Sequence, residues 1–208
     1  LWLSNFDGMH VMYFGASLGD TLRGIYRSGH HFSEPWVAWR NDSVRLPDAF
    51  RMATAQSPFT VQLPSGIQPV ERGKPAIIQI MGTWCPNCKD EARLLEALYQ
   101  KASGDLQVMG LSFERTRDSL QAQRNIDRTR EYLALSYPVY YAGYADREGV
   151  ANVLPQLEGF SAYPTTLFLY GDGKVAAVHT GFSGPATGQA YKNTVAAYNA
   201  LVEELLHY

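Results

Sequence analysis

The sequence has very little cysteine. Only two of its 208 residues are cysteines, and both belong to one Cys-x-x-Cys group, at Cys85 and Cys88. A bond between them would close a loop too short to constrain an unfolded chain much, which excludes a disulfide-rich scaffold. We therefore expect the two cysteines to carry out redox chemistry or to bind a metal.

The sequence also lacks an excess of charge of one sign and lacks long apolar runs. It has 18 basic and 20 acidic residues, a formal net charge of -2, so we expect no binding to nucleic acid. No apolar stretch approaches the roughly 18 residues of a membrane span. The chain starts at Leu1, inside an apparent strand, and we interpret it as a fragment without its natural N-terminus or any signal peptide or anchor.

Residues 1–58 are predicted to form a meander of β-hairpins and a connector. Segments rich in aromatic and β-branched residues alternate with turn pairs such as Asp7-Gly8 and Ser28-Gly29. The predicted strands cover residues 1–3, 10–14, 21–26 and 32–39. Prolines are scattered through residues 41–74, which indicates a connector with one short strand near residues 60–63.

Residues 59–208 are predicted to form a second domain of the α/β class. The order of strand and helix patterns predicts a mixed central sheet with helices on both faces. The predicted strands are 76–80, 106–113, 137–141, 165–170 and 175–180, and the predicted helices are 86–102, 115–135, 149–157 and 187–206. In the first of these helices, Ala92 and Leu95 mark the buried side, and Glu91 is expected largely elsewhere.

The Cys-x-x-Cys group lies where a strand ends and a helix begins. Pro86 occupies the first helical position, where its missing N–H costs nothing. Free backbone N–H groups and the helix dipole stabilise a thiolate there, and thiol pKa values fall from about 8.5 to roughly 3.5–7.5 in such sites. We predict that Cys85 is the nucleophile and that the more buried Cys88 resolves the mixed disulfide.

A zinc site is the alternative for a Cys-x-x-Cys group. Tetrahedral zinc needs two more ligands, and the sequence has no second such group or closely spaced Cys/His pair. The tandem His30-His31 is expected in a solvated turn. We therefore predict no metal, and no cofactor besides the redox-active Cys85–Cys88 disulfide.

At this point the sequence resembles a known family. Trp84-Cys85-Pro86-Asn87-Cys88, an amphipathic helix and a later Tyr163-Pro164-Thr165-Thr166 before a strand are similar to the thioredoxin fold. The similarity is greatest to its TlpA-like branch of extracytoplasmic disulfide reductases, and it covers residues 60–206.

The resemblance implies a thiol-disulfide oxidoreductase that reduces disulfides of client proteins. Its partners would be the client disulfide and an upstream thiol reductant. Its location would be the periplasm or another extracytoplasmic space. A membrane anchor in the missing segment would be compatible with this location.

The resemblance also implies roles for single residues. Pro164 matches the family's cis-proline, which leaves the Tyr163 backbone free to pair with an extended substrate. Trp84 matches the indole that covers the reactive thiol. Pro86 and Asn87 lie between the cysteines, where the dipeptide influences the redox potential.

Proton transfer at Cys88 is where the sequence departs from cytosolic thioredoxins. Those proteins carry a buried aspartate six residues before the first cysteine, and Gln79 stands there. Glu114 matches a glutamate of several TlpA-like proteins and could accept the Cys88 proton. Alternatively, Glu114 caps the N-terminus of a helix. Water is the other candidate acceptor of the Cys88 proton.

Two other functions remain open. Peroxiredoxin-type thiol peroxidases share the fold, but they resemble one another in a threonine three residues before the reactive cysteine, where Gly82 stands. Copper carriers of this fold space their cysteines differently and add a histidine, for which His179 is a candidate.

Overall fold

The computed structural model describes residues 2–6, 10–16, 20–28, 32–43, 48–66 and 70–208. The predicted turn at Asp7-Gly8, Gly29 and the His30-His31 pair lie outside these residues. The chain divides into two compact units, one of Leu1–Leu46 with Ser183–Tyr191 and one of Pro47–Phe182 with Lys192–Tyr208. The domain boundary after residue 58 stays a prediction.

The first unit contains the predicted antiparallel meander. Its four strands are β1 (Trp2–Phe6), β2 (His10–Ala16), β3 (Thr21–Ser28) and β4 (Phe32–Trp39). They pair in chain order, each antiparallel to the next. The small antiparallel sheet predicted from the aromatic and β-branched segments is confirmed.

The second unit contains the predicted mixed sheet. Its strands are β5 (Thr54–Ala55), β6 (Ala76–Met81), β7 (Gln107–Glu114), β8 (Val139–Tyr144), β9 (Leu157–Glu158), β10 (Thr165–Leu169) and β11 (Val175–Thr180). Five of them form one sheet in the order β11-β10-β6-β7-β8, and β5 pairs separately with β9. Strand β6 is parallel to β7 and antiparallel to β10. The α/β class with a mixed central sheet is confirmed.

The helices are α1 (Pro86–Lys101), α2 (Ser119–Leu133), α3 (Arg147–Val153) and α4 (Gln189–His207), with a 3-10 turn at Pro185–Thr187. Helix α2 begins four residues later than predicted, because the Asp118 carboxylate accepts hydrogen bonds from the N–H groups of Leu120 and Gln121 and so fixes the helix start. Among the described residues, no helix is both long and apolar enough to cross a membrane.

The strand predicted near residues 60–63 does not form. Phe59, Val61 and Leu63 are buried in alternation, as in a strand. The backbone N–H of Phe59, however, donates to the Gly173 carbonyl, and the next N–H donates to the Gln156 side chain. Residues 59–63 therefore form an extended connector that packs its alternate side chains on the core and is not part of a β-sheet.

The topology gathers three chain segments at one edge of the central sheet. Strands β6 and β7 are parallel and end there, and β10 is antiparallel and begins there, with Thr165 opposite Ile80. The Cys85 loop, Glu114 and Pro164 are consequently neighbours at this edge. The strands themselves are buried on both faces, so the site rests on a rigid base.

Candidate active site

Cys85 and Cys88 form a disulfide at the start of helix α1, with their Cα atoms 5.3 Å apart. Cys85 is the N-cap of the helix, and the Cys88 N–H donates to its sulfur at 3.2 Å. Cys88 is fully buried and Cys85 is 5% exposed. An N–H aimed at the Cys85 sulfur would stabilise a thiolate on that atom after reduction.

The loop before Cys85 is packed tightly against the end of β7. A Cβ on Gly82 would lie 2.8 Å from the Phe113 carbonyl oxygen and would collide with the Trp84 indole. The Trp84 Nε1–H donates to the same carbonyl at 3.0 Å. The position three residues before Cys85 therefore has no room for a threonine side chain.

Glu114 supports this loop from the end of β7 and is 1% exposed. Its Oε1 accepts hydrogen bonds from the Thr83 N–H at 2.9 Å and the Ser112 hydroxyl at 2.6 Å. Its Oε2 accepts from the Thr83 hydroxyl at 2.7 Å. The carboxylate thus holds the loop in place, while the cap of the following helix is Asp118. A catalytic role for Glu114 stays a prediction.

An aromatic cluster lies beside the disulfide. The Tyr163 ring packs edge-on against Trp84 at 5.2 Å and against Phe160 at 5.0 Å between centroids. The Arg115 guanidinium lies 4.0 Å from the centroid of the Trp84 ring. The Tyr163–Pro164 peptide bond is cis. This cluster offers an apolar and cationic surface next to Cys85.

Two of the predicted site residues have side-chain polar atoms that lack partners. The Tyr163 hydroxyl is buried and makes no hydrogen bond. Its pKa is raised mainly by burial and to a smaller extent by the negative charge of Asp146. The Asn87 Oδ1 atom, between the cysteines, is also buried without a partner. Pro86 is half-buried at the first position of α1.

Glu91 is a candidate functional residue that the sequence prediction missed. It is completely buried, and the prediction that it lies away from the buried side of α1 is wrong. Its Oε2 accepts from the Gln79 amide at 2.7 Å, and its Oε1 accepts from the hydroxyls of Thr166 at 2.8 Å and Tyr198 at 2.5 Å. Three donors from other elements replace the water that a surface carboxylate would bind.

The environment of Glu91 makes it a titrating group near neutral pH. Burial raises its pKa to about 7, and the hydrogen bonds from Tyr198, Gln79 and Thr166 oppose that rise. Gln79 also donates to the Cys88 carbonyl at 2.9 Å, so one amide bridges the resolving cysteine and the carboxyl. Glu91 follows Cys88 by three residues, a spacing that puts both on one helix face and was the available sequence signal.

His179 lies at the far side of this buried network. Its Nδ1 is 3.0 Å from the Tyr198 hydroxyl oxygen, and its ring packs on Phe50 at 4.5 Å between centroids. Within the described ranges, no three His, Cys, Asp or Glu side chains gather as a metal site.

Comparisons with known proteins identify the fold. No family model matches the chain, and no curated protein does. A crystal structure assigned as thiol:disulfide interchange protein DsbE from Chlorobium tepidum matches with a TM-score of 0.52 and 15% identity, over 71% of this chain and 92% of that one. A DsbF homologue from Corynebacterium diphtheriae matches with a TM-score of 0.51 and 17% identity, over 75% of this chain and 97% of that one. These similarities confirm the thioredoxin fold that the residues around Cys85 and Pro164 predict.

Proposed function

We propose that this chain is a thiol-disulfide oxidoreductase that reduces disulfides of extracytoplasmic client proteins through Cys85 and Cys88. The observation that carries the proposal is the disulfide at the N-terminus of α1, with Cys85 at the surface edge and Cys88 buried. The similarity to structures of thiol:disulfide interchange and Dsb-type proteins supports it.

The first step would be attack on the client. The Cys85 thiolate of the reduced protein bonds to one sulfur of the client disulfide, and the other client sulfur leaves with the electron pair and takes a proton. A client segment would lie extended beside Tyr163 and Pro164 and contact the Trp84 ring. Arg115 would then favour an acidic or uncharged residue near the client cysteine.

The second step would release the client. The Cys88 thiol loses its proton and attacks the Cys85 sulfur, the mixed disulfide breaks, and the second client sulfur leaves as a thiolate that is protonated. The enzyme is then oxidised by two electrons and the client is reduced. An upstream dithiol would return the enzyme to its reduced form.

Glu91 is the proton acceptor that we favour for this second step. It is buried three residues after Cys88, is bridged to the Cys88 carbonyl by Gln79, and has its pKa raised to about 7 by burial. A base with a pKa near the working pH exchanges protons efficiently in both directions. Glu114 is the alternative acceptor, and its three hydrogen bonds to Thr83 and Ser112 favour a structural role for it.

The space around Gly82 disfavours the peroxidase alternative. A threonine there would collide with the Phe113 carbonyl and the Trp84 ring. Peroxide should accordingly oxidise Cys85 slowly, and rapid stoichiometric turnover of peroxide would favour the alternative instead.

Trapping of a mixed disulfide tests the proposal. Cys88→Ser removes the resolving thiol, so the variant should retain a client covalently bound to Cys85. Cys85→Ser is the matched control, because it also loses one cysteine but loses the attacking one. It should retain no client. Equal trapping by both variants, or no reduction of insulin disulfides by the wild type, would contradict the proposed function.

The direction of the cycle is tested by the redox potential. Active sites of this type range from about -120 to about -270 mV, and the reducing proteins lie at the negative end. We expect a value nearer the negative end, measured by equilibration with glutathione or dithiothreitol. A potential near -120 mV would indicate an oxidase of thiols.

A further inference from the structure

The buried carboxyl of Glu91 has no cationic partner among the described residues. The titratable groups facing it are Tyr198 from α4 and Tyr137, which precedes β8. Its remaining contacts are the neutral side chains of Gln79 and Thr166. A proton taken up by Glu91 therefore has to leave through hydrogen-bonded neighbours, because the carboxyl itself is 0% exposed.

The two oxygens of Glu91 are not equivalent. The Cys88 carbonyl can only accept a hydrogen bond, so the Gln79 atom 2.9 Å from it must be the amide nitrogen. That nitrogen also donates to Glu91 Oε2 at 2.7 Å. Oε2 faces an amide nitrogen, which cannot accept a proton, whereas Oε1 faces the hydroxyls of Thr166 and Tyr198, which can turn and accept one. The proton of a neutral Glu91 therefore belongs on Oε1.

Oε1 is the start of a hydrogen-bonded chain. It lies 2.5 Å from the Tyr198 hydroxyl oxygen, which lies 3.0 Å from His179 Nδ1. A tyrosine hydroxyl has one proton and cannot donate to both neighbours. When Glu91 is ionised, Tyr198 donates to it and His179 donates from Nδ1. When Glu91 is protonated, it donates to Tyr198, which donates to a bare Nδ1, and the imidazole proton sits on Nε2.

We propose that Tyr198 and His179 form the route by which Glu91 exchanges its proton with solvent. The proposal rests on the proposed function, in which Glu91 receives the proton of Cys88. Tyr198 and His179 act through Glu91 and are positioning residues rather than catalytic ones.

The transfer balances without any other reactant. The Glu91 Oε1–H bond breaks as a bond to the Tyr198 oxygen forms, and the original hydroxyl proton of Tyr198 passes to Nδ1 of His179. The resulting imidazolium releases its Nε2 proton to water, which leaves an ionised Glu91 and a neutral His179 with its proton on Nδ1. No electrons move in this step.

The surroundings of His179 suit the outer end of such a route. It is 5% exposed, while Tyr198 and Glu91 are fully buried. Burial lowers the pKa of His179. Two weaker effects oppose this change: a hydrogen bond with the Gly181 backbone and the negative charge of Asp48. A lowered pKa favours prompt loss of the extra proton at neutral pH.

The tautomer of His179 tests the proposal directly. We would follow the imidazole ¹⁵N resonances of the oxidised full chain from about pH 5 to about pH 9. The proton should move from Nε2 to Nδ1 as Glu91 ionises, with a midpoint near the raised pKa of that carboxyl. Tyr198→Phe, which keeps the ring, should abolish the change. A tautomer that stays constant, or changes equally in Tyr198→Phe, would overturn the proposal.

A kinetic measurement covers the case in which Tyr198→Phe does not fold. His179→Gln keeps a hydrogen-bonding amide but cannot relay a proton. When the reduced protein reacts with insulin disulfides, which accept the two electrons, this variant should form its Cys85–Cys88 disulfide about tenfold more slowly. Added imidazole should restore the rate of His179→Ala. Thr166→Val is the matched control, because it removes the hydrogen bonds of that hydroxyl to Glu91 and Tyr198 and keeps the Glu91–Tyr198–His179 chain itself. The lost hydrogen bond favours the ionised Glu91, so the variant should raise the pH midpoint of the rate by about one unit without lowering the limiting rate.

The result also separates the two proposals. A wild type that fails to reduce insulin disulfides contradicts the proposed function, whatever the tautomer does. A wild type that reduces them, with His179→Gln equally fast at every pH, overturns the proton route alone.

Discussion

The buried carboxyl of Glu91 predicts a stability that falls as the pH rises towards neutrality. This group ordinarily titrates at 4.5, and burial raises its pKa to about 7 in the folded protein. Between those values the unfolded chain has released the proton and the folded chain still holds it. Each pH unit in this window therefore favours unfolding by about 1.4 kcal/mol. The loss across the whole window is about 3 kcal/mol, a large part of a typical stability of roughly 5–15 kcal/mol.

Glu91→Gln removes the titration and keeps the size of the side chain. We would measure the free energy of unfolding of both oxidised proteins in urea from about pH 4 to about pH 8. The wild type should lose about 3 kcal/mol relative to the variant over this range. Taking the difference between the two proteins cancels the contributions of other titrating groups.

An exposed glutamate provides the matched control for this experiment. Glu203 lies on the exposed side of α4, and Glu203→Gln should leave the pH dependence as it is in the wild type. A constant free-energy difference between the wild type and Glu91→Gln would refute the reasoning. It would mean that Glu91 binds its proton equally well in the folded and the unfolded protein.

Three further substitutions test the local packing by urea unfolding. Gly82→Ala should push the Trp84 indole away from the Phe113 carbonyl, because the added methyl group would collide with both. The free energy of unfolding should fall by about 1–3 kcal/mol and the tryptophan fluorescence should change. An unchanged fluorescence spectrum would contradict this. Asp118→Ala should cost about 1 kcal/mol because it removes the cap of α2, whereas no loss would mean that the cap is dispensable. Leu95→Ala should cost about 2–5 kcal/mol, since Leu95 is fully buried, and a loss below 1 kcal/mol would indicate that the core closes around the cavity.

The elements that the sequence predicted well have strong local signals. The run at residues 76–80 is apolar except for Gln79, and β6 is buried at every position. Helix α1 starts at Pro86 and ends before Gly104, which has a positive φ that favours glycine. In such segments the side-chain pattern and the turn residues each point to one conformation, so no distant contact is needed to decide it.

The elements that the sequence predicted poorly depend on distant partners. The alternation at residues 59–63 resembles a strand, but the N–H of Thr60 finds its acceptor in Gln156, 96 residues away. Burial of Glu91 likewise needs donors 12, 75 and 107 residues away, from Gln79, Thr166 and Tyr198. Carboxylates are almost never fully buried unless they are paired, so a helical pattern alone assigns them to the solvent.

The position of Glu91 argues for a role in the chemistry rather than in the fold. At neutral pH its burial destabilises the protein, and a neutral side chain of the same size would avoid that cost. What a neutral side chain lacks is the ability to take up and release a proton. Glu91 has this ability three residues after the buried Cys88, and the Gln79 amide holds its carboxyl by donating both to it and to the Cys88 carbonyl. If the proposed function holds, the acid that the sequence comparison expects on the strand, where Gln79 stands, is replaced by Glu91 on the helix, and Gln79 connects that carboxyl to the backbone of Cys88.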